Sequence, residues 1–68
     1  MNEIMKAKMI TIKNLLKDIK QGNKYKCNNL EIITDGANNY YIINTTPGHE
    51  TKELKTHRQM TNILKIVL

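Results

Sequence analysis

Three side chains in this sequence are soft metal ligands, and two of them could form a nucleophile and its base: Cys27, His49 and His57. A cysteine held beside a histidine makes a thiolate nucleophile with its general base. A structural metal site needs several such ligands at short spacings, such as C-x2-C or H-x3-H. Here each ligand stands alone, in YKCNN, PGHET and KTHRQ. Gly22, Gly36 and Gly48 are equally isolated, so no glycine-rich loop offers its amides to a phosphate. The expectation is a protein with no catalytic residues, no cofactor and no metal. His57, three residues after Leu54, is expected on the apolar side of a helix as a packed, hydrogen-bonded side chain.

The remaining chemistry is electrostatic. The formal net charge is +5, and all of it lies before residue 27, where seven lysines face Glu3 and Asp18. Residues 27–68 carry four groups of each sign. At 100° per residue, Lys6, Lys13, Lys17 and Lys20 fall within about 60° of one another on a helix. Such a row fits phosphates or an acidic protein surface. It is also what the wet face of a lysine-rich helix looks like. Lys24 and Lys26 extend the positive stretch on either side of Tyr25, an arrangement suited to stacking against a base. Base-edge readout has little to draw on, because Arg58 is the only arginine.

These residues need elements to position them. Ile12, Leu15, Leu16 and Ile19 make an i, i+3, i+4, i+7 stripe, and Met5 and Met9 continue it toward the start, so the helix begins either near residue 3 or at Thr11 as N-cap after a short strand. Gly22-Asn23 ends that helix. The strand-type runs YKC, LEIIT and YYIIN follow. Asn28-Asn29 and DGANN read as turns between them. A hairpin of 30–35 and 40–45 is predicted, with 24–27 as an outer third strand. TTPGHE then leads into a last helix from about Thr51, with Met60, Ile63, Leu64 and Val67 as its stripe. Pro47 fits either the first turn of that helix or a tight turn with Gly48. The fold class is α+β: one small domain over 1–68, helix, antiparallel β-hairpin of two or three strands, helix. The expected core is Leu15, Leu16, Ile19, Leu30, Ile32, Leu64 and Val67.

Length and composition limit what such a domain can do. A chain of 68 residues buries only about 60% of the surface its unfolded form exposes. With no Phe or Trp, Ile, Leu and Met must build a thin core, which leaves little room for an enclosed site. One cysteine makes no intrachain disulfide, so no oxidising compartment is required. No apolar run spans a bilayer, and MNEIMKAKMI lacks the apolar core of a signal peptide. A cytoplasmic protein without a membrane partner is expected.

The predicted hairpin has one oddity. Ile32 and Ile33, Tyr40 and Tyr41, and Ile42 and Ile43 each send consecutive apolar side chains to opposite faces. A sheet with one wet face alternates more cleanly. Either the helices cover both faces, or Ile33 and Tyr41 meet another molecule, a second copy included.

In length and helix–strands–helix order the chain resembles the double-stranded-RNA-binding domain, whose last helix opens on a lysine-rich phosphate-gripping motif. The corresponding stretch here is TKELKTHRQ, residues 51–59, with Lys52 and Lys55 separated by Glu53. That likeness is one of layout and carries no residue over. In type, a short chain this rich in Lys, Asn and Ile resembles accessory proteins of phages and mobile elements in low-GC bacteria, many of which inhibit a host protein by occupying its surface. The expected function is a non-enzymatic protein that docks on a macromolecular partner, a protein in preference to a nucleic acid. The partner-binding residues are expected to be Lys6, Lys13, Lys17, Lys20, Lys24, Tyr25, Lys26, Ile33 and Tyr41. The alternative is weakly specific, electrostatic nucleic-acid binding through the lysine row.

Overall fold

The computed structural model describes residues 3–68, apart from the side chains of Ile4 and Met5. Helix α1 spans Glu3–Lys20, strands β1 to β4 span Tyr25–Cys27, Leu30–Thr34, Asn39–Asn44 and Thr51–Thr56, and helix α2 spans His57–Val67. The strands form one antiparallel meander in the order β1-β2-β3-β4. The class is α+β as the sequence indicates, with four strands where two or three were expected.

The apolar stripe of α1 delivers Ile12, Leu16 and Ile19 to the core, fully buried, with Met9 and Leu15 packed at the margin. Met5, assigned to the same stripe from the sequence, has its side chain outside the described residues. Beyond Lys20 the chain closes a Schellman turn. The Asn23 amide donates to the Asp18 carbonyl at 3.3 Å and the Gly22 amide to the Ile19 carbonyl at 2.9 Å. Gly22 takes φ +106° there, a value that a Cβ disfavours.

Each strand connection has a local cause. Asn28, at φ 52°, and Asn29 form the two-residue turn between β1 and β2, with Cys27 opposite Leu30. Between β2 and β3, the Asp35 carboxylate accepts from the Ala37 amide at 2.8 Å and the Asn39 amide at 3.2 Å. Those bonds, the Ala37 one foremost, hold the carboxyl below its ordinary pKa. Between β3 and β4, the His49 amide reaches the Thr46 carbonyl at 2.9 Å, with Gly48 at φ +81° behind Pro47. Pro47 therefore occupies the tight turn.

Residues 51–56 correct the sequence reading. They are β4, paired along its length with β3 from Asn44↔Thr51 to Asn39↔Thr56. The last helix starts six residues later than expected, at His57. Its N-cap is Thr56, whose hydroxyl accepts from the Gln59 amide at 3.2 Å while the Gln59 side chain accepts from the Thr56 amide at 2.9 Å. This capping box satisfies two amides that the helix itself leaves unpaired.

Both helices lie on one face of the sheet. The buried core is Ile12, Leu16, Ile19, Ile32, Tyr40, Met60 and Leu64, with Tyr25 and Ile42 packed against it. Leu16, Ile19, Ile32 and Leu64 match expectation. Leu15 and Leu30 are half-buried. Val67 is 49% exposed, because the last turn of α2 runs past the packed part of the core. Ile12, Tyr40 and Met60 complete the core beyond the residues expected.

Candidate functional site

Two surfaces stand out by chemistry: the lysine row of α1 and the uncovered face of the sheet. Lys6, Lys13, Lys17 and Lys20 are all exposed, and among the described residues none of them has a carboxylate within ion-pair distance. Lys13 and Lys17 are i, i+4 neighbours, and Lys17 and Lys20 are i, i+3 neighbours. Like charges at those spacings each cost an isolated helix about 0.2–0.5 kcal/mol. Asp18, the acid beside Lys17 and Lys20, is engaged by the Asn23 side-chain amide at 2.7 Å.

The lysines of the sheet differ. Lys24 and Lys26 both approach Glu31, at 3.6 and 3.8 Å. Lys55 pairs with Glu53 at 3.2 Å. Lys52 lies 4.5 Å above the Tyr41 ring, a cation–π contact. Lys24 and Lys26, expected to continue the basic stretch of the helix, share the single Glu31 carboxylate, so the three side chains together stay net positive.

Antiparallel partners share a face, so the pairing register defines the open side of the sheet. Lys26, Glu31, Ile43 and Lys52 make one row across it. Ile33, Tyr41 and Leu54 make the next. Leu54 is 52% exposed; Ile33, Tyr41 and Ile43 are half-buried only by one another and by their strand neighbours. The result is an apolar strip with Glu31 on one flank and Lys52 on the other. Sequence reasoning placed Ile33 and Tyr41 on this face and missed Leu54 and Lys52, because it assigned their strand to a helix.

Tyr25 sits elsewhere. Its ring is on the helix side of the sheet, packed against the core, where burial and then the Cys27 thiol push its phenol pKa up. Of the nine expected partner-binding residues, four lie along α1, Lys24 and Lys26 flank the open face beside Glu31, Ile33 and Tyr41 lie on it, and Tyr25 turns away from it.

A shallow groove of about 370 Å³ runs between the first half of α1 and the start of α2, lined by Met9, Ile12, Leu16 and Thr61, with Lys6 and Lys13 among its walls. Ile10, 55% exposed, also borders it. The readable signal was Ile10 itself, an isoleucine on the far flank of the lysine row from the core stripe.

The chemistry-bearing side chains are kept apart. Cys27 borders Val67 near the end of α2, whereas His57 opens that helix, about 15 Å away along its axis. His57 Nδ1 lies 3.1 Å from the Tyr40 hydroxyl, with ring centroids 5.8 Å apart. It is hydrogen-bonded as expected, although most of the residue is exposed. Among the described residues no cluster of three His, Cys, Asp or Glu side chains could hold a metal ion, and no helix is long and apolar enough to cross a membrane. The likeness to the double-stranded-RNA-binding layout also weakens here, since Lys52 and Lys55 lie on β4 and not at the start of a helix. No family model, curated protein or solved structure matches the chain.

Proposed function

We propose that this chain is a non-enzymatic cytoplasmic protein that works by docking on another protein, with the α1 lysines steering it toward an acidic partner. The observation that carries this reading is the uncovered sheet face, where Ile33, Tyr41, Ile43 and Leu54 form an apolar strip that no part of the described chain covers. Contiguous apolar surface rimmed by charge marks interaction sites in soluble proteins. Exposed lysines remote from the strip raise the encounter rate and contribute little to the lifetime of the complex. A regulator or inhibitor that occupies a target's surface needs nothing more than these two parts.

The unpaired lysine row favours a second reading, electrostatic binding of nucleic acid. Affinity capture with the full chain, with and without nuclease, separates the two. A protein that stays bound after nuclease and is lost with Leu54→Lys supports docking through the sheet face. Changing Lys13, Lys17 and Lys20 to Gln should then slow association and leave dissociation unchanged. Loss of all captured material on nuclease treatment supports the second reading, and the same triple variant should then lower the log–log salt slope of binding by about one per contact removed.

A further inference from the structure

We propose that the occupant of the open face is a second copy of this chain, related to the first by a twofold axis that lies between the two faces and runs along β3. The inference rests on the docking reading and assigns the sheet face to a second copy, which leaves the outward α1 lysines to the acidic partner. What carries it is the symmetry of charge about β3. In one cross-strand row, Glu31 on β2 and Lys52 on β4 flank Ile43 on β3. In the next, Ile33 and Leu54 flank Tyr41. Neighbouring strands lie about 4.8 Å apart, so the carboxylate and the ammonium stand at nearly equal distances on either side of the middle strand.

A half-turn about β3 lays β2 of one copy over β4 of the other. Glu31 then faces the partner's Lys52, and Lys52 faces the partner's Glu31. Ile33 meets the partner's Leu54, while Tyr41 and Ile43 meet their own counterparts. Packed sheets cross at about 30° with about 10 Å between them. Inclining the axis by half that angle displaces the charged pairs slightly, and the long lysine stem absorbs the shift. The strip matches itself in both rows.

The net charge of +5 does not prevent this arrangement. The α1 lysine row lies on the opposite side of the sheet, so in the pair the two rows face outward. They are separated by two sheets and two helix layers, well beyond the ~8 Å screening length at physiological salt. Lys24 and Lys26, which also approach Glu31, stay exposed at the rim, so in the pair each Glu31 carboxylate serves them and the partner's Lys52 together. The dimer therefore presents two basic helices to a third molecule.

The test uses charge reversal in the full chain. Sedimentation over a concentration range should show a dimer for the parent. Glu31→Lys places like charges together twice in a pair of identical copies, and so does Lys52→Glu. Each should run as a monomer at a loading concentration where the parent is dimeric. Mixed in equal amounts, the two variants place opposite charges together at both contacts, and the dimer mass should return. Leu54→Lys, at a half-exposed edge position that the fold does not depend on, should be folded by circular dichroism and monomeric. A parent that stays monomeric overturns the proposal, as does a mixture of charge variants that stays monomeric or a Leu54→Lys protein that still dimerises. If the parent is monomeric yet Leu54→Lys loses a captured protein, the docking reading stands with a foreign occupant. If Leu54→Lys changes neither mass nor capture, both fail.

Discussion

Ile32 and Ile33 are adjacent and identical in type, yet Ile32 is sealed under two helices while Ile33 lies on the open face. Tyr40 and Tyr41 repeat the contrast: one is buried with its hydroxyl against His57, the other sits beneath the Lys52 ammonium. On the two central strands, both faces of this sheet carry isoleucine and tyrosine. What separates core from surface here is where α1 and α2 lie. Hydrophobicity alone does not decide it, and the open face carries isoleucine and tyrosine at its centre without a cover.

The sharpest way to break that comparison is to truncate the isoleucine pair. Ile32→Ala should cost about 2–5 kcal/mol, a large part of the total at roughly 0.05–0.15 kcal/mol per residue. Ile33→Ala should cost well under half as much in the isolated chain, read from urea denaturation with unchanged m-values. Equal costs would mean that the open face is covered within the monomer.

The cover itself depends on where α2 begins. Thr56→Ala removes the hydroxyl half of the capping box and should cost about 1 kcal/mol, visible as a lower urea midpoint. If stability does not change, the capping box contributes nothing to holding α2 over Tyr40. The tyrosine pair gives a smaller contrast. Tyr40→Phe keeps the buried ring and deletes the bond to His57, for about 0.5–1.5 kcal/mol. Tyr41→Phe removes a hydroxyl that no described residue bonds, and its midpoint should stay with the parent's. Similar losses for both would show that the His57 contact contributes nothing.

The smallest effect comes from the turn that joins the two contrasted strands. Its carboxyl, Asp35, titrates below its ordinary value because the Ala37 and Asn39 amides favour the charged form. A depressed folded-state pKa adds stability above the unfolded value, near about 4, and loses it as pH falls through the folded one. The parent's melting temperature should therefore fall faster than that of Asp35→Asn as pH drops below about 4. Parallel curves would show that the turn amides do not hold the charge.

Much of this was legible in the sequence. The stripe from Ile12 to Ile19 and the Gly22 stop place α1 correctly, because each is a local signal read from a few neighbouring residues. DGANN announces its turn for the same reason. The β4 strand was hidden because TKELKT has one large apolar residue, pointed at the open face, and helix-prone Lys, Glu and Leu. Its strand state comes from pairing with β3, which no local pattern encodes. The Thr56-x-x-Gln59 capping box was the one readable mark of the true boundary. The approach of Lys24 and Lys26 to Glu31 was equally hidden, since Glu31 comes near them only after β1 and β2 pair. The exposure of the α1 lysines was plain from the helix net alone.

The two outer strands of the sheet bear on how this molecule behaves when concentrated. β1 is three residues long and is flanked and filled by lysines, and β4 carries Lys52, Glu53 and Lys55 along its free edge. Short or charged edges resist the addition of further strands. Growth of the sheet sideways, the route to open-ended fibres, is thereby blocked at both ends. Contact through the face alone closes after a single half-turn, because a twofold pairing uses the same patch on both copies and leaves none free. In the proposed pair, the apolar strip is thus used up by one partner and offers no surface to a third copy.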